Sequence, residues 1–210
     1  MTKVITRGRR TQMNKMIDIR YSEVEVETRN IDEQQSAVIR GYALKFDKPS
    51  EDLGFIEYLD KRCLDNADMS NVVALLNHDS NYVLGRTGRN LTLGTDETGL
   101  WFELEPNNTS YVRDLVENMS TGLINKCSFA FSIREGGDKW EKREDGKYVR
   151  TVTSIDKLYD VSVVTSPAYE DTEAMLSARS KDSKETFERE LSKPSRDREV
   201  ELLDMELELI

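Results

Sequence analysis

The sequence predicts a mainly β domain with a few surrounding helices, and three observations lead there. Segments of alternating apolar and polar residues recur along its first two thirds. Gly, Asp, Asn and Pro punctuate them at turn-like spacings. Only one stretch carries clear helical periodicity. Of the 210 residues, 37% are hydrophobic and 33% charged, enough apolar material for one core with charge-rich segments outside it.

Residues 1–16 hold Lys3, Arg7, Arg9, Arg10 and Lys15 and no acid, the pattern of a disordered basic arm. From residue 17 the period becomes two: Ile17, Ile19 and Tyr21, then Val24 and Val26, alternate with polar side chains, as in a half-buried strand. Ala37 to Phe46 forms a second strand, closed by the turn residues Asp47-Lys-Pro-Ser50, and Phe55 to Leu59 a third. Val72 to Leu76 is a continuous apolar run, a buried strand ending at Asn77-His78-Asp79. Leu91 to Leu93 and Leu100 to Leu104 flank a Gly-, Asp- and Thr-rich loop and read as a hairpin. Thr109 or Ser110 caps a helix whose Val112, Leu115, Val116 and Met119 share one face, with Gly122 as its stop.

Cys127 to Ile133 alternates again. Arg134 to Lys147 is a solvated, charged hairpin, and Tyr148 to Val164 a long strand broken near Lys157. Residues 179–210 set seven cations against ten acids and end in an apolar-acidic segment, reading as a helix-prone tail. The expected division is a basic arm over 1–16, a domain over 17–178 and a tail over 179–210. So many antiparallel strands favour a closed or nearly closed barrel, because closure removes their edges.

Composition narrows the function. A net charge of −10 disfavours general nucleic-acid binding. No segment has the length of a signal peptide's apolar core or of a membrane span, so the expectation is a cytosolic, reducing environment. Cys63 and Cys127 are too few for a metal cage or a disulfide framework and read as buried free thiols. His78 is the sole histidine, which excludes metal sites built on several His and sends any His-dependent catalysis through one side chain.

Three residues stand out chemically. His78 ends an apolar strand, where the sheet fixes the backbone and the side chain stays reachable. Imidazole also takes and returns protons near neutrality. In a strand, Ser128, Ala130 and Ser132 share the face opposite Cys127, Phe129, Phe131 and Ile133, so Ser128 points away from the aromatics. Cys127 is the rival nucleophile and lies on the aromatic face. Asp160 is an acid within an apolar strand, costly unless paired, and a histidine N–H is a suitable partner. Read alone, it is equally an ordinary solvent-facing acid beside Ser162.

In order along the chain come Gly41-Tyr-Ala43, Leu75-Leu-Asn-His-Asp79 with Leu84-Gly-Arg-Thr87, Leu91-Thr-Leu93 with Thr98-Gly-Leu100, Ser128-Phe-Ala-Phe131, and Asp160-Val-Ser-Val-Val-Thr-Ser-Pro-Ala-Tyr169. Over roughly residues 37 to 178 this ordered set resembles the prohead (procapsid maturation) serine proteases of tailed bacteriophages. The resemblance implies an assemblin-like closed barrel of about seven strands ringed by helices. It implies an endopeptidase that cleaves capsid protein or its scaffold segment, and itself, inside the immature shell in the host cytoplasm. His78 then matches the family's base and Ser128 its nucleophile. Asp160 stands where many members carry Glu, one methylene shorter in reach. Gly85 and Arg86 are candidates for oxyanion or substrate contacts. No cofactor, metal, nucleic acid or membrane is implied; self-association within the procapsid is. The alternative is a catalytically inactive scaffolding or interaction protein of the same shell.

Overall fold

The computed structural model describes residues 17–23, 27–31, 36–165, 184–189 and 191. The predicted basic arm and most of the predicted tail lie outside these residues. The described strands are β1 (Asp18–Glu23), β2 (Glu27–Ile31), β3 (Ser36–Lys45), β4 (Ile56–Leu59), β5 (Val73–Leu76), β6 (Asp79–Arg86), β7 (Leu91–Thr95), β8 (Gly99–Leu104), β9 (Lys126–Ile133), β10 (Asp138–Lys142), β11 (Tyr148–Val152) and β12 (Ile155–Val164). Helix α1 (Ser110–Ser120) lies between β8 and β9, and residues 184–189 are helical. No helix among the described residues is long and apolar enough to cross a membrane.

The mainly β expectation holds, but the barrel does not close. The strands form three sheets, in the orders β1-β9-β12-β5-β6, β2-β3-β8-β7 and β10-β11-β4. The polar stretch Asp79–Tyr82 begins edge strand β6, and a Thr87–Leu91 bridge joins the end of β6 to the start of β7. The shared core between the sheets includes Ile39, Leu44, Leu100, Phe102, Phe129, Phe131 and Leu158. Helix α1 adds Val112, Leu115 and Met119 of the predicted apolar face, with the fourth residue, Val116, partly buried against the core. Thr109 is its N-cap by backbone geometry, without a side-chain capping bond.

Two local readings are corrected. The break in the long C-terminal strand falls at Thr153-Ser154, whose N–H groups both donate to the Gly137 carbonyl; Lys157 sits instead at a register irregularity within β12. In β1 the buried face is the polar one. Asp18 and Arg20 are buried while Ile17 is 46% exposed.

The reason is a buried ionic cluster. The Arg20 guanidinium meets both carboxylate oxygens of Glu57, at 2.6 and 3.0 Å, and Asp18 at 3.4 Å. Arg150 bonds Glu57 at 3.1 Å and Asp138 at 2.9 Å. Burial by itself would lower the Arg20 pKa, but Glu57 and then Asp18 offset that and hold it above the ordinary value. Glu57 thus joins β1 to the small sheet. Removing it takes away the bidentate partner of Arg20 and one of the carboxylates of Arg150 within a buried cluster, so Glu57→Ala is expected to cost about 3 kcal/mol of stability, measured by urea unfolding.

Candidate active site

Three neighbouring strands of the five-stranded sheet bring the predicted residues together. Central β12 pairs antiparallel with β9, setting Ser162 opposite Ser128 and Asp160 opposite Ala130. On its other side β12 runs parallel to β5, with Asp160 opposite Val73 and Val163 opposite Leu76. The chain leaves β5 at Leu76, turns through Asn77-His78 and returns at Asp79 as β6. Parallel pairing therefore carries the turn toward the end of β12 and swings His78 over the face that holds Ser128 and Asp160.

The result is a continuous hydrogen-bonded chain. His78 Nε2 lies 2.6 Å from Ser128 Oγ and Nδ1 lies 2.7 Å from Asp160 Oδ1. Two further contacts were not foreseen. Ser162 donates its hydroxyl to Asp160 Oδ1 at 2.7 Å and sits 3.2 Å from His78 Nδ1. The Arg20 carbonyl, on β1, is a second acceptor for the Ser128 hydroxyl at 2.7 Å. Ser162 was visible in the sequence as a polar residue on the Asp160 face; the Arg20 carbonyl carried no sequence signal. Ser128 has no exposed surface, while the His78 and Asp160 side chains each retain 13%.

The rival nucleophile is set apart. Cys127 lies in the core with Phe129 and Phe131, as strand alternation predicts, and its thiol donates to the Tyr42 carbonyl. Burial pushes that thiol up to about 12, so it carries essentially no thiolate near neutral pH. Cys127→Ala is expected to preserve cleavage and to cost about 1 kcal/mol of stability, read by mass spectrometry of products and by thermal unfolding. Cys63 is likewise a buried free thiol.

Gly85 and Arg86 are not drawn into the site. The Arg86 backbone N–H donates to Asn90 Oδ1 and its guanidinium bonds Asn71. Gly85 pairs with Ala74, and a Cβ there would fall 2.3 Å from Leu104 Cδ1. Close packing of β6 on β8 accounts for that glycine. Among the described residues no group of three or more His, Cys, Asp and Glu is placed to hold a metal ion.

A β-rich fold and a Ser–His–Asp chain of this geometry point to the serine peptidases. Within that class, the family model for the caudovirus prohead serine protease matches residues 22–187, and the chain belongs to that family. The match extends beyond both ends of the stretch that the motifs delimit. A solved structure, the bacteriophage T4 capsid assembly protease gp21, is similar in fold, with a TM-score of 0.52 at 12% identity, covering 73% of this chain and 99% of that one. No curated protein matches.

Proposed function

We propose that the chain is an endopeptidase that cleaves capsid protein or its scaffold segment, and itself, inside the procapsid, with Ser128 as nucleophile, His78 as base and Asp160 as the group that orients it. The carrying observation is the unbroken hydrogen-bond chain from Ser128 Oγ through both imidazole nitrogens to Asp160 Oδ1. Asp160 accepts the Nδ1–H, which leaves the Nε2 lone pair toward Ser128. As Oγ attacks the scissile carbonyl carbon, its proton passes to Nε2. Collapse of the tetrahedral adduct breaks the C–N bond, and Nε2 returns the proton to the departing amine. Water then attacks the acyl-enzyme ester, giving a proton to Nε2, and collapse breaks the C–Oγ bond as Nε2 returns that proton to Ser128 Oγ.

The shorter Asp at position 160 still reaches His78, and Ser162 donates to the same carboxylate oxygen that meets Nδ1. Ser128 has no exposed surface in this conformation, so a peptide reaches Oγ only after the atoms covering it move. That suits an enzyme whose activity is withheld until it is enclosed with its substrate. Gly85 and Arg86 are left out of this reading. Residues 17–178 form the catalytic domain, with self-association inside the shell. Co-expression with the cognate capsid protein, followed by mass spectrometry, tests the reading. Defined fragments of capsid protein are expected; an intact capsid protein within assembled shells would sink it.

A further inference from the structure

The turn that carries His78 has an unusual backbone. Leu76 pairs with Asp79, leaving a two-residue hairpin loop, and both of its residues have positive φ, 54° for Asn77 and 57° for His78. Positive φ at both central positions is the signature of a type I′ turn, normally built from Asn-Gly or Asp-Gly. Here a histidine stands where glycine is preferred, and its Cβ disfavours the left-handed region. Something must hold His78 there. Asn77 is itself among the few residues that tolerate left-handed backbone. It is also tied twice to the end of β12: its N–H donates to the Val163 carbonyl at 2.9 Å, and its Oδ1 accepts the Thr165 N–H at 2.9 Å and the Thr165 hydroxyl at 3.3 Å. The same strand carries Asp160 and Ser162. Asn77 therefore couples the backbone bearing the imidazole to the strand bearing its carboxylate partner.

We propose that Asn77 is a positioning residue: it keeps His78 in the left-handed conformation in which Nδ1 meets Asp160 and Nε2 meets Ser128. The inference rests on His78 being the base. A base displaced from its turn for part of the time lowers the rate by the fraction of molecules displaced.

The test exploits the sole histidine, whose imidazole signals in ¹⁵N NMR are unambiguous. Asn77→Ala removes both the left-handed tolerance and the Thr165 anchor. Asn77→Gly keeps the backbone freedom and removes only the anchor. Asn77→Asp keeps both. The expected result for Asn77→Ala is loss or exchange broadening of the hydrogen-bonded Nδ1–H resonance, with cleavage of co-expressed capsid protein slowed about tenfold. Asn77→Gly should fall between Ala and wild type, and Asn77→Asp should restore the Nδ1–H signal and most of the rate. Should the alanine variant fail to fold, the Gly and Asp pair decides the matter. Equal rates and equal imidazole spectra for those two overturn the proposal. An Asn77→Ala protein with wild-type spectrum and rate also overturns it; His78→Ala would then still abolish cleavage and leave the base assignment standing. A displaced imidazole with unchanged cleavage overturns the base assignment itself, and the proposal with it.

Discussion

Ser128→Ala is expected to reduce the cleavage rate of co-expressed capsid protein by roughly 10⁶-fold, to the limit of detection by mass spectrometry. The nucleophilic oxygen is lost. Cys127 Sγ lies on the opposite face of β9, protonated and hydrogen-bonded to the Tyr42 carbonyl, and the Ser162 hydroxyl donates to Asp160 Oδ1 and sits by Nδ1, away from the Nε2 that takes the proton. The protein should still fold. The change removes one buried hydroxyl and leaves the Arg20 carbonyl and His78 Nε2 without its hydrogen bond, a cost of about 1–3 kcal/mol. His78→Ala should be equally severe, and the double variant no worse than either, because nucleophile and base act as one unit. A Ser128→Ala protein that yields the wild-type fragments would refute the nucleophile assignment outright.

Asp160→Asn should cost about 10⁴-fold in rate with little change in fold. The amide fills the same space, but its NH₂ can donate to Nδ1, which favours the tautomer with the proton on Nε2. Nε2 then no longer accepts from Ser128. The Ser162 hydroxyl, now donating to Asp160 Oδ1, would compete to fix the orientation of that amide. The imidazole ¹⁵N shifts of His78 report the tautomer directly. An unchanged rate would reduce the site to a Ser–His dyad, with Asp160 as a structural acid.

Much of the fold was legible because the strands obey simple periodicity. The hairpin of β7 and β8, the apolar face of α1 and the two-faced character of β9 follow from residue order and turn chemistry. β1 did not obey it. Its apolar residues alternate properly, yet Asp18 and Arg20 are the buried ones. Their partners Glu57 and Arg150 are far away in sequence, and alternation says which residues share a face without saying which face is inside. Strand closure failed for a related reason: ladder pairing among three sheets is a property of the whole chain.

By itself, then, the sequence determined the chemistry available: one imidazole, a serine turned away from a wall of aromatics, and an acid in an apolar strand, in an order resembling the prohead proteases. Only the tertiary structure decided that these three meet. The parallel pairing of β5 with β12 and the antiparallel pairing of β9 with β12 bring residues 78, 128 and 160 into a single line of hydrogen bonds. It also decided what surrounds them, since Ser162, Asn77 and the Arg20 carbonyl act through distances of a few ångströms that no residue spacing encodes.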